Sequence, residues 1–352
     1  GQRREPVGAK TTFEVAVPEP HGTYLVRAVD SAGNVFEQKV KIERRPPHNT
    51  GWHGERLPPG MRLGTEKPVT IWDGGPGLEI EMVYVPPGDF LMGSDDRQRD
   101  EQPMHSHSLP EGYYIARYEV TVAQFEAFVL KWGHKTEAER KKEFIWVWNG
   151  TKNVRKPARS WRNPGFSQGP DHPVVYVSWN DAKAFCERTG LSLPTEAQWE
   201  KAARGEKGLQ YPWGDEFPRD GKKTANVADE TAKQTLTSWT VVDGYDDGFV
   251  YTAPVGTFPD GAAVCGALDM TGNVWEWCAD WYDPKAYSRY AEGELSAPPQ
   301  GTLRVARGGD WGGRAQDVRA ANRSKDRPSV SSYILGFRPM KVLQQPEPAS
   351  QE

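Results

Sequence analysis

The stretch "DMTGNVWEWCADWY", residues 269–282, joins a glycine turn to a tryptophan-rich run. Asp269 and Glu276 place hard anionic oxygens on either side of that turn. Two readings follow. Ca²⁺ takes roughly six to eight oxygen ligands, many of them carbonyls of irregular backbone. Alternatively, the acids cap turns by accepting hydrogen bonds from backbone amides. Both need ordered backbone that is neither helix nor sheet. The composition suits that, with 36 Gly, 29 Pro, 14 Trp and a mean hydropathy of -0.73. Irregular chain pinned by aromatic rings is therefore expected.

At 352 residues the chain can form one large domain or two modest ones. A net charge of -4 leaves no electrostatic footprint for nucleic acid or an anionic membrane. No run reaches the roughly 18 apolar residues of a membrane span. The opening "GQRREPVGAK" shows no signal peptide and reads as a trimmed start. Cys186, Cys265 and Cys278 fit no zinc spacing. Cys265 and Cys278 either pair or stay as buried free thiols, the commoner state. No nucleophile elbow, zinc-protease helix, phosphate loop or dinucleotide fingerprint is present.

Along the chain, "TTFEVAV", "TYLVRAV" and "NVFEQKVKI" alternate like strands within residues 1–45. With the turn "DSAGN" they resemble the closing strands of a bacterial immunoglobulin-like repeat. Residues 46–75, rich in Pro, Gly and charge, read as a linker. Three helices are expected. Thr121 caps one whose Phe125, Phe128 and Val129 share a face. Ser178 with Asp181 starts the second and Gly190 ends it. Thr195 with Gln198 starts the third, with Trp199, Ala202 and Ala203 inward and Gly205 as its stop. Beyond residue 206 no long helical period appears, and 343–352 reads as a polar tail.

Taken in order, "MVYVPPGDFLMGS" (82–94), "YEVTVAQFEAF" (118–128), "HPVVYVSWNDAKAFC" (172–186), "LPTEAQWEKAARG" (193–205), "YPWGDE" (211–216), "DMTGNVWEWCADWY", "RVARGGDW" (304–311) and "LGFRP" (335–339) resemble the sulfatase-modifying-factor family, the formylglycine-generating enzyme and its relatives. The resemblance covers residues 76–342. It implies an α+β, C-type-lectin-like fold with little regular structure. It also implies one or two structural Ca²⁺ ions. One would be held by Asp269, the carbonyls of Gly272 and Val274, and Glu276. The other would be held by Asn226, the carbonyls of Val227 and Phe249, and Asp247. Asp269 stands where well-known members carry Asn.

Formylglycine-generating enzymes oxidise a substrate cysteine with copper(I) held by two thiolates, soft ligands suited to that ion. The first of those positions falls at Gly313, the second lies in a shortened segment, and no Cys occurs from 279 to 352. No copper and no formylglycine formation are expected. The fold implies a ligand surface on the last loops, with Asp310, Trp311, Arg314, Gln316, Asp317, Arg319 and Asn322 as candidate contacts. Trp311 and Arg314 suit stacking on, and forking, a planar or anionic ligand. Arg323 and Arg338, and in one reading Arg319, are instead framework ion pairs. His105 and His107 would share a strand face as a metal half-site, against a surface or structural role. The reading favoured is a calcium-stabilised, non-catalytic ligand-binding or assembly module of an extracytoplasmic bacterial protein. Its partner would be a protein, peptide or glycan in the loop cleft. The alternative is an iron-dependent oxidase or sulfoxide synthase on the same fold.

Overall fold

The computed structural model describes residues 21–29, 35–43, 50–140, 144–148, 151–157, 159–218 and 221–343. Two units result, Gly1–Thr50 and Gly51–Glu352. In the first, His21–Val29 and Val35–Glu43 form an antiparallel hairpin in continuous register from His21↔Glu43 to Val29↔Val35. The third expected strand, within 11–17, lies outside the described residues, as do the turn "DSAGN" and the tail beyond residue 343.

The second unit holds two main sheets. The larger runs Met340–Val342, Tyr113–Ala116, Glu79–Val85, Thr70–Asp73, Met61–Leu63, all antiparallel. Its last two strands come from the stretch read as a linker. That stretch is therefore not loop throughout: Met61, Leu63 and Trp72 are apolar anchors buried against the core. The smaller sheet runs Arg323–Asp326, Arg304–Arg307, Trp275–Trp281, Leu335–Gly336, the last pairing parallel.

Among the described residues six α-helices carry the rest: α1 Val122–Trp132, α2 Glu137–Arg140, α3 Trp179–Thr189, α4 Glu196–Arg204, α5 Glu230–Thr235 and α6 Ala286–Ala291. All three expected caps form as reciprocal capping boxes, at Thr121/Gln124, Ser178/Asp181 and Thr195/Gln198. Gly190 adopts φ 71°, the left-handed conformation that glycine takes without a Cβ clash. The apolar faces of α1 and α3 meet Trp161 and Phe337 in an aromatic core. Phe125–Trp161, Phe128–Phe185 and Phe185–Phe337 have ring centroids 5.0–5.3 Å apart. Beyond residue 206 the α-helices among the described residues are α5 and α6, six residues each. Among the described residues no helix is long and apolar enough to cross a membrane.

The α1 cap gives a local test. Thr121 Oγ1 accepts from the Gln124 amide, and Gln124 Oε1 accepts from the Thr121 amide. Thr121→Ala should cost about 1 kcal/mol, read as a lower urea midpoint with an unchanged slope. An unmoved midpoint would show that the cap adds nothing to global stability.

Candidate functional site

The Arg304–Arg323 segment enters the last loops through Gly308 and Gly309, at φ 103° and 81°. A Cβ on Gly309 would lie 2.7 Å from Val318 Cγ1, so the segment folds back on itself only with glycine there. Asp310 follows. Its Oδ1 accepts from the Gly312 amide and its Oδ2 from Trp275 Nε1, each at 2.7 Å. Burial pushes its carboxyl up to about 6.

Trp311 differs from the expected exposed platform. It is 2% exposed, stacked on Trp239 at 5.4 Å and 7° and edge-on to Tyr251 at 5.0 Å. Tyr333 and Phe166 close the ring cluster. The cause is tertiary: those rings arrive from four distant segments to cover one large apolar face. Trp311 Nε1 is buried without a partner.

Arg319 is also turned away from a free ligand role. Its guanidinium grips Glu101 with two bonds of 2.8 Å, and both side chains are buried. Asn322 is buried, donating to the Asp317 carbonyl and accepting from Gln98. Arg314 remains accessible and pairs with Asp317 at 2.8 Å.

A cleft of about 710 Å³ opens beside this loop, lined by Arg314, Gln316 and Arg319. Asp310, Trp311, Asp317 and Asn322 do not line it; they hold the loop that does. Its far wall brings in Arg97, Gln210, Tyr211 and Phe217. Tyr211 ties wall to loop by donating to the Ala315 carbonyl at 3.0 Å. Arg97 carries no signal of its own in the sequence, being one of several charges in a polar run. Tyr211 belongs to the "YPWGDE" phrase, but nothing local placed it here.

The calcium candidates form two neighbouring groups. Asp269 and Asn273 hold left-handed φ values of 56° and 58°, and Gly272 lies between them at 82°. Asp269 Oδ2 accepts from the Gly256 amide at 2.6 Å. Glu276 meets Arg338 through both oxygens at 2.6 Å and takes Trp199 Nε1 at 2.7 Å. Its first partner is therefore a guanidinium, which leaves only its remaining lone pairs for an ion. Glu119, which the sequence reading missed, faces the same group. Its Oε1 accepts from Asn273 Nδ2, while its Oε2 is buried without a partner. Burial, with Asp269 adding repulsion, holds its carboxyl far above the usual range.

In the second group Asp247 accepts from the Val227 and Phe249 amides at 2.9 and 2.8 Å. Burial pushes it up to about 8, with Asp229 adding repulsion. Asn226 Oδ1 is buried without a partner. Among the described residues, the carbonyls of Gly272, Val274, Val227 and Phe249 accept no hydrogen bond. Unpartnered buried oxygens are costly, and a cation is the species that satisfies several at once. Glu119 Oε2 and Asn226 Oδ1 are the orphaned side-chain oxygens that a hard cation would satisfy.

The other metal candidates are dispersed. His105 and His107 do share a face, but a buried one, 7% and 3% exposed, against Tyr287 and Tyr290. Among the described residues no three His, Cys, Asp or Glu side chains gather as a metal cluster. The three thiols are free. Cys186 lies on α3, Cys265 donates to the Ala202 carbonyl, and Cys278 is buried in the Trp275–Trp281 strand. Burial raises the pKa of each.

Fold and site together define a C-type-lectin-like domain of the formylglycine-generating type. The chain belongs to the family of the sulfatase-modifying factor enzyme 1-like domain, which matches residues 77–343. It is 34% identical over 303 residues to the formylglycine-generating enzyme of Bos taurus, covering 77% of each chain. It is 33% identical to the inactive C-alpha-formylglycine-generating enzyme 2 of Mus musculus, covering 75% of this chain and 86% of that one. Among solved structures, PvdO from Pseudomonas aeruginosa superimposes with a TM-score of 0.62 at 30% identity, covering 79% of this chain and 100% of that chain.

Proposed function

We propose that this chain is a calcium-stabilised, non-catalytic binding domain of an extracytoplasmic bacterial protein, which takes a peptide segment in the Arg314–Gln316 cleft. The observation that carries the reading is the turn after Trp311. By the family resemblance, the first copper thiolate would fall at Gly313, and there the chain makes a tight turn whose Gly313 amide donates to the Asp310 carbonyl at 2.8 Å. The thiols this chain does have lie on other elements. The resemblance to a relative named inactive points the same way. The peptide class follows from a cleft that offers the accessible Arg314 guanidinium, side-chain amides and aromatic edges together.

Calcium would be held by Asn226, Asp247 and the carbonyls of Val227 and Phe249 at one site. Asp269, Glu276 and the carbonyls of Gly272 and Val274 would hold it at the other, with Glu119 Oε2 as a further oxygen. The ion would supply structural charge neutralisation, letting loops with little regular hydrogen bonding stay fixed. The hairpin of the first unit, with its immunoglobulin-like phrase, supports an extracytoplasmic setting.

Elemental analysis of protein purified without added metal tests the reading. Calcium at one to two equivalents is expected, with no copper or iron. Stoichiometric copper or iron, or oxygen consumption with thiol substrates, would overturn it. An iron-dependent oxidase is the second reading, favoured by His105 Nε2 and His107 Nδ1, both buried without partners. For the cleft, peptide arrays should identify a sequence whose binding falls about tenfold in Arg314→Ala. The melting temperature of that variant should be unchanged, because the Arg314–Asp317 pair is well exposed. Binding to glycan arrays alone would replace the peptide with a carbohydrate.

A further inference from the structure

A second cavity, of about 610 Å³, shares no lining residue with the loop cleft. Its walls include Pro68, Val85, Pro86, Leu209 and Val264. Val264 is 77% exposed, a large apolar side chain with nothing over it. The volume falls within the roughly 300–1,000 Å³ of small-molecule sites, which are mainly apolar with a few placed polar groups.

The polar group that decides the ligand is Lys201, from the buried side of α4. It is 2% exposed, yet among the described residues it pairs with no carboxylate. Its Nζ donates once, to the Gly88 carbonyl at 2.7 Å. Glu206 and Asp89 act on it only from beyond ion-pair distance. An ammonium has three donors, and a buried one is rarely left without an anion. The other interior cation of the cavity, Arg204, is consumed by Glu200 and the carbonyls of Gly93, Gly208 and Leu209.

The geometry points to a binding site here for an amphipathic monoanion, an unbranched alkyl carboxylate. Its carboxylate meets Lys201 and its chain lies along Val85, Leu209 and Val264. No assignment of the loop cleft bears on it. The shape sets the order of preference. A neutral alcohol of equal length keeps the apolar contacts and loses the charge-assisted bond, and an alkylammonium adds repulsion.

Titration calorimetry of the full chain with octanoate, 1-octanol and octyltrimethylammonium tests this. Octanoate should bind one per chain, about tenfold more tightly than octanol, with no binding of the cation. Lys201→Met should bring octanoate down to the affinity of octanol. Val264→Asp, at an exposed position that leaves folding intact, should weaken octanoate about tenfold. Equal affinity for octanoate and octanol, no octanoate binding, or undiminished binding by Val264→Asp would each overturn the proposal. If Lys201→Met fails to fold, the octanol comparison and Val264→Asp decide.

Discussion

Replacing Arg307 with methionine should destabilise the domain by about 3–5 kcal/mol and lower its melting temperature by on the order of 10 °C. Arg307 is fully buried. One of its Nη groups meets Glu196 at 2.6 Å and Tyr287 at 2.9 Å. The other meets Glu200 at 2.5 Å and the Ala320 carbonyl at 2.7 Å. Glu196 is shared with Arg323, and Glu200 with Arg204. Removing Arg307 leaves each of two interior carboxylates with one cation instead of two and without a buried charge-assisted hydrogen bond, and breaking such a network is what makes the loss large. Differential scanning calorimetry reads the effect. A loss below about 1 kcal/mol would mean that water or the remaining arginines compensate fully.

The same network fixes an acid limb. Burial alone would raise Glu200, but Arg307 and Arg204 outweigh it and hold its carboxyl at about 2, below the ordinary 4.5. A depressed carboxylate contributes stability above its unfolded pKa and loses it as pH falls through the folded one. Wild-type stability should therefore decline from about pH 4.5 toward pH 2, and this share of the decline should shrink in Arg307→Met.

Chelation is expected to have the second large effect. At free calcium a hundredfold above its dissociation constant, each site contributes about 2.7 kcal/mol, so EDTA should lower the melting temperature by several degrees per site. Calcium should restore it and magnesium should not, because the offered ligands are many, mixed and irregular rather than octahedral. Asp247→Asn should leave one fewer calcium per chain by equilibrium dialysis. Glu119→Gln should weaken the other site, since Oε2 would lose the charge that now has no partner. Two ions retained in Asp247→Asn would remove Asp247 from the ligand set. No effect of EDTA on melting would remove the structural role of calcium.

Much of this was legible in the sequence because it depended on neighbours in the chain. The capping boxes at Thr121, Ser178 and Thr195 each join residues three apart, and the apolar faces of α1 and α3 follow from helical period alone. The framework roles of Arg323 and Arg338 followed from shared phrases, and their partners proved to be Glu196 and Glu276. The order of the phrases was enough for the family and its α+β fold.

The rest was decided by contacts between segments far apart. On α4 the helical period places only Trp199, Ala202 and Ala203 inward, yet Glu196, Glu200, Lys201 and Arg204 are buried as well. Only the arrival of Arg307 and Arg323 from a hundred residues onward makes that burial affordable for the carboxylates. Trp311 looked like an open platform until Trp239, Tyr251 and Tyr333 were laid over it. Glu119 carried no local mark, because an unpartnered oxygen is defined by everything that fails to reach it. Local bonding patterns are written in adjacent residues, whereas the electrostatic and aromatic closure of this domain is set by which distant residues the sheets bring together.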